Sequence, residues 1–219
     1  TQLETDRRLV NRKVHHLKKQ IEAVKKHRSL YRQNRRRQGI PIIALVGYTN
    51  AGKSTILNAL TQADVVAEDK LFATLDPKTR SFVLPDNERV LFTDTVGFIQ
   101  KLPPSIVSAF RATLEELSEA SVLLHIVDLT STNAAEQCQT VEDILREMEL
   151  TGTPIITVLN KIDLMLSRGK YWDEHSALEY LSEQVPAGGK NTVLVSAIRK
   201  WGLNDLIALI RNILNQSVR

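Results

Sequence analysis

The residues that most clearly suggest chemistry are those from Gly47 to Ser54, which read GYTNAGKS and fit the pattern GxxxxGKS. An apolar run, Ile42–Val46, precedes them and predicts a buried strand, and Lys53–Leu60 predicts a helix. Backbone N–H groups of such a loop and the helix N-terminus form an anion site. A chance glycine turn is the alternative, but the context argues against it. This P-loop pattern predicts phosphate contacts at Gly47, Tyr48, Thr49, Asn50, Ala51, Gly52, Lys53, Ser54 and Thr55.

Two of these side chains have specific expected roles. Lys53 should reach the β- and γ-phosphates and act as a catalytic group, and the Ser54 hydroxyl should ligate Mg²⁺. A second Mg²⁺ ligand and catalytic group is expected at Thr74, in the long link Leu71–Pro77, because long loops in compact domains are often functional. A plain turn at Asp76-Pro77 is the alternative. The first interpretation gives nucleotide contacts at Phe72, Ala73, Thr74, Leu75 and Asp76.

A carboxylate and a glycine follow the predicted strand Val90–Thr93. Asp94 at the strand end is expected to hold the Mg²⁺ shell. Gly97 can offer its N–H to a γ-phosphate, a contact that exists only while the triphosphate is intact. Residues from Phe98 to Pro104 are therefore expected to form a mobile switch loop. The nucleotide contacts predicted here are Asp94, Thr95, Val96 and Gly97.

The stretch NKID follows the predicted strand Ile155–Leu159 and predicts which nucleotide base is bound. Asn160 can bind a purine edge and orient the loop, and Lys161 can lay its aliphatic stem over the base. Asp163 accepts two N–H groups, which guanine presents and adenine does not, so adenine would leave a buried carboxylate unpaired. After the last predicted strand, a backbone N–H can meet guanine O6. The contacts expected there are Ser196, Ala197 and Ile198.

Beyond residue 40, apolar runs alternate with amphipathic segments, which predicts an α/β fold. We expect a mostly parallel sheet of about six strands, flanked by helices on both faces. The site residues should gather beyond the strand carboxyl ends. The predicted strands are Ile42–Val46, Ser81–Leu84, Val90–Thr93, Val122–Val127, Ile155–Leu159 and Thr192–Val195. The predicted helices are Lys53–Leu60, Ser105–Ser118, Ala134–Glu149, Tyr171–Ser182 and Leu203–Asn215.

The net charge of +4 is unevenly distributed. Residues 1–38 carry +10, so the remainder carries −6. Apolar residues recur at alternating three- and four-residue steps in this first part, which predicts a basic α-helical, coiled-coil-like segment over 1–38, ahead of a globular domain over 39–219. Arg7 and Arg28 interrupt the apolar stripe, which argues against a long self-sufficient coiled coil. A helical hairpin with an upstream partner and packing onto the globular domain are the alternatives. A one-signed excess repels itself unless a polyanion neutralises it, which favours contact with RNA or a ribosome over a merely solvated face.

Other features suggest location and completeness. No apolar stretch is long enough to span a bilayer, so no membrane partner is expected. A single cysteine, Cys138, suits a reducing compartment. We expect a cytoplasmic monomer, with an organellar stroma or matrix as the alternative location. The chain begins at Thr1 without a methionine, which suggests a fragment.

Taken together, these motifs resemble those of translation-factor-related GTPases. More narrowly, Thr1–Arg8, Gly47–Thr55, Leu71–Pro77 and Asp94–Ile99 are similar to the HflX family of ribosome-associated GTPases. The resemblance covers nearly the whole chain. It implies a P-loop GTPase domain that binds GTP, GDP and Mg²⁺, contact with the large ribosomal subunit and its rRNA, and GTP hydrolysis stimulated there. It also implies a role in rescuing or splitting stalled ribosomes under stress. The resemblance also suggests that these residues are a fragment, without the family's separate N-terminal domain and the C-terminal extension found in some members.

Two hypotheses concern mechanism. Phe98 follows DxxG where Ras-like proteins have a glutamine that orients the attacking water, so intrinsic hydrolysis should be slow and a partner should supply the missing group. Asn50 resembles the Asn of GTPases that use K⁺ as a catalytic cation, although Asn also suits a tight loop. Two functions remain open. The chain is either a ribosome-activated GTPase or a nucleotide-gated RNA-binding module in which hydrolysis only resets binding.

Overall fold

The computed structural model describes residues 13–16, 19–20, 39–61, 78–95, 97–98, 115–167, 170–185 and 189–217. The chain separates into two compact units, Thr1–Ile40 and Pro41–Arg219. In the first unit, residues 13–16 and 19–20 are helical and exposed, and the rest of the predicted basic segment lies outside the described residues. Among the described helices, none has both the length and the apolar character that crossing a membrane requires.

The second unit contains one six-stranded sheet, and the predicted sheet is confirmed. Its strands are β1 (Ile42–Gly47), β2 (Lys78–Val83), β3 (Arg89–Asp94), β4 (Val122–Asp128), β5 (Ile155–Asn160) and β6 (Thr192–Leu194). They lie in the order β2-β3-β1-β4-β5-β6. Strand β2 runs antiparallel to β3, and all other neighbours are parallel. The strand order reverses around β1, and ligands of such sheets bind beyond the carboxyl ends at this switch point.

Helices cover both faces of this sheet, as predicted. Alternate residues of β1 point to opposite faces: Ile43 and Leu45 pack in one core, while Ala44 and Val46 pack in the other. The helices described in this unit are α1 (Lys53–Thr61), α2 (Ala134–Glu147), α3 (Glu174–Gln184) and α4 (Leu203–Ser217), with short 3₁₀ helices at Glu115–Glu119 and Ile162–Leu164. The first core includes residues of α1 and α4, and the second includes residues of α2.

The start of α3 differs from the prediction. The helix was expected over Tyr171–Ser182 but begins at Glu174. Asp173 caps its N-terminus, because the Asp173 carboxylate accepts a hydrogen bond from the Ser176 N–H at 2.8 Å. Tyr171 and Trp172, which precede the cap, continue the apolar spacing of the helix, so the spacing alone does not show where the helix begins.

Other predicted boundaries also shift by a few residues. The helix predicted over Ala134–Glu149 ends at Glu147, because Glu149 has a left-handed φ of 58° that no α-helix accommodates. The strand predicted over Ser81–Leu84 spans Lys78–Val83, since its pairing with β3 continues to the end of that strand. Most of the helix predicted over Ser105–Ser118 lies outside the described residues.

Strand β4 carries a buried histidine that makes the fold sensitive to acid. His125 is 6% exposed and lies between Val46 of β1 and Thr157 of β5. Burial lowers the pKa of His125 to about 4. The unfolded chain therefore binds one more proton than the folded chain between pH 4 and 6.5, so stability falls as the pH falls through that window.

We expect the unfolding free energy of the wild type to drop by about 2.4 kcal/mol more than that of His125→Gln between pH 7 and 4.5. Urea denaturation at a series of pH values measures this difference. The exposed His175 gives a matched control, since His175→Gln should retain the wild-type slope. A His125→Gln variant with the wild-type slope would contradict the assignment.

Candidate nucleotide-binding site

The predicted nucleotide contacts within the described residues lie at one edge of the sheet, beyond the carboxyl ends of its parallel strands. The P-loop joins β1 to α1, Asp94 ends β3, Asn160 ends β5, and Ser196 lies just after β6. This edge brings together loops that are more than 100 residues apart in sequence. The predicted contacts Phe72, Ala73, Thr74, Leu75, Asp76 and Val96 lie outside the described residues.

Close packing explains the glycines of the P-loop. A Cβ atom on Gly47 would lie 2.3 Å from the Ile126 carbonyl oxygen, and one on Gly52 would lie 2.3 Å from Asn160 Nδ2. Both glycines also have positive φ values, of 150° and 99°. Asn50, at φ 61°, adopts the left-handed conformation that Asn tolerates well. The loop therefore approaches β4 and β5 more closely than side chains would allow.

Lys53 lies across this loop and is almost fully buried. Its Nζ donates hydrogen bonds to the carbonyl oxygens of Gly47 at 3.2 Å and Tyr48 at 3.0 Å. Burial lowers the pKa of Lys53 to about 8, although the charge of Asp94 opposes this shift. Phosphate oxygens could take over from these carbonyls as partners of the ammonium group, and their charge would favour its protonated form.

Ser54 and Asp94 meet beside Lys53. The Ser54 hydroxyl donates to Asp94 Oδ2 at 2.6 Å, and Asp94 is fully buried. Thr95, the next residue, donates its hydroxyl to the Leu45 carbonyl oxygen at 2.6 Å and fixes the end of β3 against β1. Thr55 lies in the first turn of α1 and is partly buried.

The oxygens of Ser54 and Asp94 suit Mg²⁺, which prefers hard oxygen ligands and keeps several waters. Among the described residues, no group of three or more His, Cys, Asp or Glu side chains could hold a metal alone. A magnesium ion held by Ser54 and Asp94 would need further oxygen ligands, which phosphate and water can supply. That arrangement is usual where a metal accompanies a nucleotide.

Gly97 lies directly over the P-loop. A Cβ atom on Gly97 would lie 2.7 Å from the Thr49 Cα and 3.0 Å from Lys53 Nζ. The next residue forms two backbone hydrogen bonds with the loop, from the Phe98 N–H to the Gly47 carbonyl at 3.0 Å and from the Thr49 N–H to the Phe98 carbonyl at 2.8 Å. The two segments are thus joined at the place where a γ-phosphate is expected.

The predicted switch loop from Phe98 to Pro104 lies outside the described residues except for its first residue, Phe98. Its side chain is fully buried in the core that contains Val46, Leu117 and Val141. Burial of the apolar ring in this core has a lower free energy than its exposure to solvent. The backbone bridge between Phe98 and Tyr48 holds the residue in place. The ring therefore points into the protein.

Asn160 connects the phosphate side of the site to the base side. It is 2% exposed, its Nδ2 donates to the Ala51 carbonyl at 2.9 Å, and its Oδ1 accepts from the Ala197 N–H at 3.2 Å. Both ends of the amide group are therefore used within the protein. In this arrangement Asn160 orients the two loops, as one part of its predicted role requires.

Asp163 and Ser196 form the far side of the site. The Ser196 hydroxyl donates to Asp163 Oδ1 at 2.6 Å and accepts from the Arg199 N–H at 3.2 Å. Ser196 also pairs through its backbone with Trp201, which closes the last loop. Ile198, at the outside of that loop, is 73% exposed. Ser196 thus orients the carboxylate that is expected to read the base.

Lys161 has a partner that the sequence analysis missed. Its Nζ donates to Asp128 Oδ2 at 2.7 Å. Asp128 also accepts hydrogen bonds from Thr130, at 2.9 Å from the backbone N–H and 2.6 Å from the hydroxyl. Burial would raise the pKa of Asp128, but these hydrogen bonds from Lys161 and Thr130 outweigh it and hold the pKa below its usual value.

A second missed residue is Glu174, which supports the last loop from outside. Its Oε1 accepts a hydrogen bond from the Gly202 N–H at 2.8 Å, just before α4 begins. Asp128 could have been suspected, because it is a carboxylate directly after an apolar strand. Glu174 lies in an ordinary helical pattern, and nothing in the sequence distinguishes it.

Comparison with known families gives one match over residues 42–161, to the family described as 50S ribosome-binding GTPase. Among curated proteins, a GTPase HflX from Caldanaerobacter subterraneus is 46% identical over 96% of this chain and 45% of its own length. GTPase HflX from Escherichia coli is 44% identical over 75% of this chain and 39% of its own length. The chain thus spans about half the length of the curated relatives it matches.

Solved structures give a consistent result. A GTP-binding protein from Sulfolobus solfataricus in complex with GDP has a TM-score of 0.61 and 31% identity, over 86% of this chain and 57% of that one. Era in complex with MgGDPNP and a segment of 16S ribosomal RNA has a TM-score of 0.58 and 26% identity, over 78% and 55%. The fold of the described residues is therefore shared with nucleotide-binding GTPases.

The lowered pKa of Lys53 predicts a pH-dependent affinity for GDP. Phosphate binds the charged ammonium, so binding should be independent of pH below about 8 and weaken above it, by up to about tenfold per pH unit. Calorimetric titration with GDP between pH 6.5 and 9 measures this change. Lys161→Met should retain the pH dependence, and any residual binding by Lys53→Met should lose it. A constant affinity up to pH 9 in the wild type would contradict the prediction.

Proposed function

Because this chain belongs to the ribosome-binding GTPases and, within them, to the HflX family, we propose that it binds GTP and GDP and hydrolyses GTP to GDP and phosphate. The observation that carries this proposal is the double hydrogen bond of Asn160. This residue ties the P-loop carbonyl of Ala51 to the Ala197 N–H of the last loop, 2.9 Å and 3.2 Å away. A phosphate site and a base site are thereby held at a fixed separation.

Guanine is the base that this site suits. Ser196 holds Asp163 Oδ1 through a 2.6 Å hydrogen bond, so the carboxylate has a defined direction. A carboxylate accepts two parallel N–H groups, which guanine offers through N1 and N2. Adenine offers no such pair, so the carboxylate would receive no N–H donors from the base, which makes adenine binding unfavourable. Guanine O6 is assigned to the last loop, where it would share the Ala197 N–H that also donates to Asn160 Oδ1.

The phosphates are assigned to the P-loop, with Lys53, Gly97 and Thr74 as the groups nearest the transferred phosphate. Ser54, Asp94 and Thr74 would hold Mg²⁺, which would neutralise charge on the β- and γ-phosphates. The position of Gly97 supports this assignment, because a Cβ atom on Gly97 would lie 3.0 Å from Lys53 Nζ. A bulkier residue there would displace the ammonium group.

Slow intrinsic hydrolysis follows from Phe98. A side chain that orients water needs a hydrogen-bonding group directed at the phosphate, and the Phe98 ring has none and is buried in the core. The chain therefore requires the missing group from a partner or from a rearranged loop. We propose that the large ribosomal subunit provides it.

Three observations support a ribosomal partner. The matching family is described as 50S ribosome-binding GTPase. Era, a structural relative, has been solved with a piece of 16S ribosomal RNA. Residues 1–38, proposed as a separate basic segment before a GTPase domain over 39–219, carry +10 and would favour rRNA. Ribosome splitting or rescue under stress, a cytoplasmic location and a monomeric state remain predictions.

Potassium remains a hypothesis that rests on Asn50. The left-handed φ of 61° already gives this residue a backbone reason to be Asn. A catalytic role of K⁺ would make GTP hydrolysis faster in potassium than in sodium at equal ionic strength. Equal rates would remove the hypothesis and leave the GTPase proposal intact.

The decisive test is single-turnover GTP hydrolysis with and without large ribosomal subunits, in potassium and in sodium. We expect stimulation of at least about tenfold by the subunits, the smallest effect that an added transition-state contact should give. Lys53→Met is the control that should abolish binding and hydrolysis. The full-length protein should be measured in parallel, because this chain spans about half the length of the curated relatives it matches.

Each outcome separates the candidate functions. Stimulation of this chain would establish a ribosome-activated GTPase, and stimulation of the full-length protein alone would place docking in the additional region. Tight GTP binding without stimulation of either would favour the nucleotide-gated RNA-binding module. Absence of guanine-nucleotide binding would reject both functions.

Replacing Phe98 tests the account of slow hydrolysis. Phe98→Gln should lower the unfolding free energy by about 3 kcal/mol, because it buries an amide in an apolar core, and it should not raise the basal rate of hydrolysis. Phe98→Leu should retain the basal rate with a smaller loss of stability. A large rise in basal rate for Phe98→Gln would show that this side chain reaches the phosphates and would contradict the account.

A further inference from the structure

We propose that Asp128 is a positioning residue that holds the Lys161 side chain against the base of a bound guanine nucleotide and so slows nucleotide release. The proposal rests on the guanine site proposed above. It concerns a residue that makes no assigned contact with the nucleotide.

Asp128 lies at a fixed position beside the base-binding loop. It ends β4 directly opposite Asn160, the last residue of β5, and the following Leu129 N–H donates to the Asn160 carbonyl oxygen at 3.1 Å. Strand pairing therefore sets the distance between the Asp128 backbone and the backbone that leads into Lys161. The carboxylate does not depend on a flexible loop for its position.

The carboxylate itself is held by two further hydrogen bonds. Asp128 Oδ1 accepts both from the Thr130 N–H and from the Thr130 hydroxyl, at 2.9 Å and 2.6 Å. Oδ2 is thereby directed at Lys161 Nζ, 2.7 Å away. The Asp128 and Lys161 side chains are 16% and 22% exposed, so water competes weakly for this pair.

The ion pair fixes both ends of the Lys161 side chain. At one end, the backbone of Lys161 has a left-handed φ of 66°, which is unfavourable for a lysine and persists only when its surroundings require it. At the other end, Nζ is bound to Asp128. A lysine stem has several rotatable bonds, and fixing its ends before the base arrives removes an ordering cost from binding. The aliphatic stem can then cover the face of the base.

This role predicts a specific pattern of defects. Lys161 lies between Asn160 and Asp163, on the base side of the site, whereas Lys53 lies on the phosphate side. Loss of the ion pair should weaken GDP and GTP by the same factor, because both carry the same base. A general disturbance of the P-loop would change the ratio of the two affinities.

The test compares Asp128→Asn with Asp143→Asn in the full chain. Asp143 forms an ion pair of the same 2.7 Å length with Arg146 on α2, but those side chains are 52% and 63% exposed and lie on an ordinary helix surface. We expect Asp128→Asn to release fluorescent GDP and GTP about five to ten times faster, with an unchanged GTP/GDP ratio, as for loss of a charge-assisted hydrogen bond. Asp143→Asn should match the wild type.

A double variant distinguishes positioning from general stability. In a Lys161→Met background the ammonium group is absent, so adding Asp128→Asn should change the release rate by less than about twofold. An undiminished effect in that background would overturn the proposal, as would wild-type release rates in Asp128→Asn. Thermal unfolding without nucleotide should show that each variant is folded.

If Asp128→Asn does not fold, Thr130→Val is measured in its place. That change removes the hydrogen bond from the Thr130 hydroxyl to Asp128 Oδ1 and keeps the carboxylate. It should speed release of both nucleotides in the same ratio, and unchanged release would overturn the proposal. A wild-type chain that binds GDP no better than ADP would instead reject the proposed guanine site. The two failures are therefore distinguishable.

Discussion

The site depends above all on one buried amide group. Asn160 satisfies its donor in the P-loop and its acceptor in the last loop, and almost no water reaches it. A buried polar group that loses one partner keeps the full cost of its desolvation, which amounts to about 1–3 kcal/mol. Gly52 has to be a glycine because the same amide occupies the space of its Cβ. The two halves of the pocket therefore cannot shift independently without a large penalty.

The charged groups of the site have hydrogen-bond partners within the protein. Lys53 donates to two carbonyl oxygens, Ser54 donates to Asp94, and Lys161 is paired with Asp128. Preorganised groups of this kind need little rearrangement when a charged ligand arrives. Phe98 contacts the P-loop through its backbone, by hydrogen bonds to Gly47 and from Thr49. Because its side chain is not needed for these bonds, the ring fills the core.

The sheet and the main motifs could be predicted from the sequence, because both are determined locally. Apolar runs such as Ile42–Val46 indicate buried strands, and GxxxxGKS defines a loop without reference to the rest of the chain. Contacts between distant residues could not be predicted in this way. The pairs Lys161–Asp128 and Gly202–Glu174 are formed by strand register and helix placement, which no local pattern encodes. The start of α3 was misplaced for a related reason, since Tyr171 and Trp172 continue an apolar rhythm that the Asp173 cap interrupts.

The hydrogen bond between Asn160 and Ala51 also has a consequence for folding. It joins residues 109 positions apart, and contacts of such separation close large loops and form late when a chain folds. The pocket is therefore complete only when β1, β4 and β5 are already assembled. Any ligand that spans both loops binds the native chain and not its partly folded forms, and it raises the unfolding free energy by RT ln(1 + [L]/Kd). The concentration of guanine nucleotides around the protein would thus help to set the fraction of molecules that are folded.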